Sequence, residues 1–206
     1  MGAGSRRRLF AVLMIGTLGA VLAAHAAVRA ETPASPPVKE RNLPQTRRAY
    51  AVAAIGDSLT DPRSNGGRYL RLLAERCPES RFDSYGKGGE MVNQMRRRFA
   101  ADVLGIPPDP GKPRYTDVIV FGGVNDLYSD LTAGRTVKKI TTDLSAMYVA
   151  AREHGLRVVA VTVTPWGGFS RYFTPARAAT TAELNHWILA QPAAGTVDFA
   201  VDAFPL

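Results

Sequence analysis

From Tyr50 onward the chain alternates between short apolar runs and longer amphipathic stretches, and this alternation constrains its fold more than any other feature. The run YAVAAI at 50–55, closed by Gly56, and the run DVIVF at 117–121, closed by Gly122 and Gly123, are short and almost uniformly apolar. They suit strands buried on both faces. Residues 156–163 form a third such run, ended by Pro165, while 81–85 and 196–201 read as weaker strands. Between them, residues 67–76, 90–104, 136–154 and 175–191 carry apolar side chains near helical spacing, and Gly155 is a stop for the third of these helices. Pro107, Pro108, Pro110 and Pro113 mark a loop. The order is β-α-β-α-β-α-β-α-β, which predicts an α/β fold: a five-stranded parallel sheet with helices on both faces and right-handed crossovers. In such sheets ligands gather at the carboxyl ends of the strands.

Three of those strand ends carry chemistry-bearing residues. The first runs into Gly56-Asp57-Ser58-Leu59-Thr60, where Ser58 is placed as an exposed nucleophile or, equally, as a helix cap. The second runs into Gly86-Lys87-Gly88-Gly89-Glu90, whose backbone N–H groups suit an anion or simply form a flexible turn. It lacks the spacing of a nucleotide-binding loop. The third runs into Gly123-Val124-Asn125-Asp126; the Asn125 amide is a neutral donor for a developing negative oxygen, or a cap for the next turn.

Taken together, in the order Ser, Gly, Asn, these blocks resemble the SGNH, or GDSL-type, serine hydrolase superfamily, and the resemblance runs from Tyr50 to about Leu206. It implies a three-layer, flavodoxin-like sandwich and an esterase or acyl hydrolase working through an acyl-serine. Ser58 is then the nucleophile, with the Ser58 N–H, the Gly89 N–H and the Asn125 side chain as the oxyanion hole. Asp57 and Asp126 are expected to hold their loops rather than take part in chemistry. Trp166 and Phe169, in the loop after the fourth strand, are candidates to line an acyl or sugar pocket.

The family's Asp-x-x-His block, which supplies the general base and the acid that orients it, has no counterpart here. Of the three histidines, His25 lies near the N-terminus, His154 at a helix end and His186 inside the last helix, away from the strand edge. Asp198 and Asp202 have no histidine to orient. The expectation is a chain cut short before that block and its final helix, with apolar sheet surface left uncovered and weak or absent activity. The competing readings are a non-catalytic pseudo-hydrolase that holds acylated glycans or lipids at the cell envelope, and a flavodoxin-like nucleotide binder.

Residues 1–30 read as a signal peptide: Arg6, Arg7 and Arg8, then an apolar run of 16 residues, then small residues around two cleavage points. The run is shorter than the ~20 residues of a membrane-spanning helix, which disfavours an uncleaved anchor. Arg7 and Arg8 also resemble a twin-arginine signal. Residues 31–48, with four prolines, form a linker, and 49–206 form the domain. The net charge of +8 suggests a nucleic-acid partner until the signal is removed, which leaves 22 basic against 18 acidic residues. The densest remaining cluster, Arg96-Arg97-Arg98, lies in a helix and reads as a solvated face. The expected location is therefore periplasmic or extracellular. The expected substrates are small-molecule, lipid or acylated-glycan esters, with no nucleic acid, no lasting membrane span and no cofactor or metal. Cys77, the only cysteine, reads as an idle thiol.

Overall fold

A computed structural model of the protein describes residues 48–205. The expected signal segment, residues 1–30, and all but the last residue of the expected linker, residues 31–48, lie outside the described residues. The strands are β1 (Ala51–Gly56), β2 (Arg81–Gly86), β3 (Asp117–Phe121), β4 (Arg157–Val161) and β5 (Phe199–Val201). They form one sheet in the order β2-β1-β3-β4-β5, with every pair parallel. The helices are α1 (Arg68–Arg76), α2 (Val92–Phe99), α3 (Val124–Tyr128), α4 (Asp130–Ala133), α5 (Val137–Glu153) and α6 (Pro175–Ala190). The alternation expected from periodicity is present. α3 and α4 are additions to it, because helices of five and four residues are too short to show a period.

One face of the sheet is well covered. Ala53, Ile55, Val118, Val120, Val158 and Ala160 point into a core with α2, α5 and α6. Helical spacing explains the fit: Val92, Met95 and Phe99 on α2, and Ile140, Leu144, Met147 and Ala151 on α5, each recur at three- or four-residue steps. A fully buried side chain of this kind stabilises by about 1.5–3 kcal/mol. Thr136 caps α5 by accepting from the Lys139 N–H, and Thr174 caps α6 through the Arg177 N–H, with Pro175 in the first turn.

The other face is thinly covered. Val52, Ala54, Ile119 and Phe121 pack with Leu70, the only buried residue of α1. A depression of about 690 Å³ remains over this face, bordered by Tyr50, Phe82, Val159, Val161 and Val201. Leu72 and Leu73 at its margin are exposed. Apolar sheet surface left uncovered was expected, and it is found here among the described residues.

Candidate active site

Sheet register brings the three motifs together. Gly56 pairs with Gly86 on one side and Phe121 on the other, so β2, β1 and β3 end level. The Asp57 carbonyl accepts from the Thr60 and Asp61 N–H groups at 3.1 and 3.0 Å, and the Asp57 carboxylate accepts from the Leu59 N–H at 2.9 Å. Among the described residues the Ser58 N–H finds no acceptor. This tight turn folds back onto the strand ends, where a Cβ on Gly86 would lie 2.2 Å from the Asp61 nitrogen. Backbone cannot yield there, so only glycine fits.

The glycine loop is equally selective about its donors. The Lys87 N–H goes to the Gly56 carbonyl at 3.0 Å, and the Gly88 N–H to the Asp61 carboxylate at 3.1 Å. The Gly89 N–H has no acceptor among the described residues. Gly89 has φ +78° with open space around its Cβ position, so glycine serves here for its left-handed backbone rather than for room. Asn125 opens α3 and donates one amide hydrogen to the Glu90 carbonyl at 2.9 Å, leaving the second free. Three donors at neighbouring strand ends thus lack partners, an arrangement able to hold an oxyanion.

Ser58 and Asn125 border a cavity of about 510 Å³ together with Leu59, Val124, Trp166 and Phe169. Gly89 is not part of that lining. Trp166 is mostly buried; its indole N–H donates to Thr181 and its ring meets Phe173 edge-on at 4.8 Å, so it is a fixed wall. Phe169 is 64% exposed at the rim. Tyr128 also lines the cavity and was not foreseen from sequence; the available signal is its place three residues after Asn125, on the same face of a helix.

Neither described histidine reaches this cavity. His186 is exposed on α6, and His154 caps α5 with Nδ1 2.8 Å from the Ala150 carbonyl oxygen. Asp198 accepts from the Val158 N–H and pairs with Arg152, and Asp202 accepts from Thr162 and the Phe204 N–H. Asp198, just before β5, is thus tied to β4, and Asp202, just after β5, to the residue that follows β4.

Behind the site lies a buried ionic chain. Asp126 accepts from the Val92 N–H at 2.8 Å and pairs with Arg135 at 2.7 Å; Arg135 pairs with Asp143, and Asp143 with Arg96. Asp57 and Asp126 therefore hold loops, as expected. The arginine cluster is a solvated face only in part. Arg96 and Arg97 are exposed, Arg96 pairing with Asp143 from the surface, whereas Arg98 is largely buried with Glu90, Asp102 and the Gly56 carbonyl. Consecutive residues on a helix point in different directions, so a charge run need not share one environment.

Burial pushes the Asp57 carboxyl up to about 6, with nearby Asp126 adding to the effect and the Leu59 N–H opposing it. One of its oxygens is buried without a hydrogen-bond partner. Below about pH 4 the carboxyl is protonated both folded and unfolded and costs nothing. As pH rises toward 6 the unfolded chain ionises more readily, so stability falls, and above 6 the penalty is complete. A shift of about two units corresponds to roughly 3 kcal/mol. Asp57→Asn keeps an acceptor for the Leu59 N–H but leaves an amide hydrogen in the unpartnered position. It should therefore gain about 1–2 kcal/mol at pH 8 and lose about 1 kcal/mol at pH 4, where the amide cost remains and the carboxylate penalty does not. Urea unfolding at the two pH values checks this, and equal gains at both would refute the assignment.

The sequence model of the GDSL-like lipase/acylhydrolase family matches residues 54–204. No curated protein sequence matches the chain. Among solved structures, a catalytic mutant of an acetylxylan esterase from Geobacillus stearothermophilus is similar with a TM-score of 0.62 at 16% identity, covering 78% of this chain and 80% of that one. A member of the G-D-S-L lipolytic family from Veillonella parvula gives 0.59 at 18% identity, covering 76% and 79%. A GDSL-like lipase from Bacteroides thetaiotaomicron gives 0.54 at 19% identity, covering 74% and 68%.

Proposed function

Because this chain belongs to the GDSL-like lipase/acylhydrolase family, we propose that it cleaves carboxylic esters through an acyl intermediate on Ser58. The Ser58 oxygen attacks the ester carbonyl carbon while its proton passes to water in the open cavity, which returns a proton to the departing alkoxide. The resulting oxyanion is held by the Ser58 and Gly89 N–H groups and the Asn125 amide. Collapse expels the alcohol, and water then releases the acid and regenerates the serine. The observation that carries this reading is the set of three unpartnered donors at level strand ends, two of them on residues that border the cavity.

Turnover by these 206 residues is slow in this reading, since among the described residues no histidine borders the cavity. A hole and a nucleophile without a triad base retain roughly 10³–10⁴-fold acceleration over water. The substrate is a small-molecule, lipid or acylated-glycan ester whose acyl group fits the space beside Trp166 and Phe169. Export to the periplasm or beyond is supported by the signal-like sequence of residues 1–30. Among the described residues no helix is long and apolar enough to cross a membrane.

The test is p-nitrophenyl acetate hydrolysis, with intact-mass detection of Ser58 labelled by a fluorophosphonate, beside Ser58→Ala. Slow hydrolysis and a single label, both lost in the variant, are expected. Equal behaviour of the two proteins would sink the proposal. The distant histidines also favour a second reading, a pseudo-hydrolase that retains acylated glycan or lipid. Saturable binding of such an ester without acid release would select it.

A further inference from the structure

Arg98 bridges the first two motifs, and the second of these holds the third. Its Nε donates to the Glu90 carboxylate at 2.6 Å, Nη1 to the Asp102 carboxylate at 2.7 Å, and Nη2 to the Gly56 carbonyl at 3.1 Å. The Arg98 and Glu90 side chains are 11% and 18% exposed, so water screens the pair weakly. Two of the three acceptors belong to different parts of the site. Gly56 ends β1, two residues before Ser58. Glu90 follows Gly89 directly, and its carbonyl receives the Asn125 amide. Asp102 lies in the π-helical turn Ala100–Leu104 that continues from α2 and fixes the guanidinium from behind.

We infer that Arg98 is a positioning residue that sets the spacing of the oxyanion hole. Through one planar guanidinium, the strand end leading to Ser58 is tied to the side chain of Glu90, the residue that follows Gly89 and whose backbone carbonyl holds Asn125. A guanidinium suits this task because its donors project in one plane at fixed angles, whereas an ammonium presents a single point. Small displacements matter, since donors aimed at developing charge act within a narrow distance range. Arg98 touches no substrate; it acts through Ser58, Gly89 and Asn125.

The inference rests on the acyl-serine reading, so the test has two arms. The first is the rate of Ser58 labelling by a fluorophosphonate at increasing concentration, read by intact mass. The second is amide hydrogen exchange in peptides covering residues 56–60 and 86–91. Arg98→Gln should lower the limiting labelling rate at least tenfold, leave the half-saturating concentration within twofold, and speed exchange at 86–91. Arg97→Gln makes the same charge change on the exposed neighbouring residue and should match the wild type in both arms. Arg98→Lys should recover only part of the rate. If Arg98→Gln does not fold, Glu90→Gln weakens the same contact and should shift both readings in the same direction. Labelling and exchange at wild-type levels in these variants would overturn the inference, as would a change confined to half-saturation. If the wild type is not labelled at all, the acyl-serine reading fails, and exchange alone decides: unchanged exchange at 86–91 overturns the positioning role, and faster exchange upholds it.

Discussion

Replacing Asp126 with alanine is expected to lower the unfolding free energy by about 3–5 kcal/mol, the usual cost of removing one partner from a buried ion pair. Asp126 is fully buried and the Arg135 side chain is 7% exposed, so water cannot take the place of the lost carboxylate. Burial raises the Asp126 pKa, and the Val92 N–H and Arg135 pull it back down. Without Asp126 both donors are stranded, although Asp143 still faces Arg135, which places the loss toward the low end of the range. The pair itself adds less than its breakage costs, because desolvating two charges offsets most of their attraction. The double variant Asp126→Ala/Arg135→Met should therefore be more stable than Asp126→Ala alone. Urea unfolding of the wild type and the two variants checks both expectations. A single-variant loss below about 1 kcal/mol would show that the ionic chain is not supporting the fold.

Asn125→Ala is expected to slow acylation of Ser58 by roughly 10²–10³, equivalent to about 2.7–4 kcal/mol of transition-state stabilisation. The expected loss falls on the limiting rate and not on half-saturation, because a donor to an oxyanion is used only after the carbonyl is attacked. Stability should drop by only about 1 kcal/mol, for the lost bond to the Glu90 carbonyl. Asn125→Asp sharpens the test. It is nearly the same shape but sets an acceptor against that carbonyl and negative charge beside the developing oxyanion. It should be at least as slow as alanine. An aspartate variant that labels at the wild-type rate would remove Asn125 from the oxyanion hole.

Local pattern made much of this legible. Five strands, four main helices and the α/β class follow from where apolar residues recur, since a strand or helix buries whatever its own period turns inward. Ser58, Gly89 and Asn125 could be named because the blocks just past three predicted strands resemble those of the SGNH superfamily, and parallel strands bring such positions to one edge. Trp166 and Phe169 were within reach for the same reason. Tyr128 was missed because α3 is too short to announce itself.

What the amino-acid order determined by itself was the class of fold and the edge that carries the chemistry. Tertiary structure alone decided which donors remain open, which histidines stand apart from the cavity, and which arginine in a run of three is built into the site. The physical reason is distance along the chain. A hydrophobic period is complete within a dozen residues, whereas the partner of a charge or an amide is set by packing. Arg98 meets Gly56 from 42 positions away, Asp126 meets Val92 from 34, and Asn125 meets Glu90 from 35.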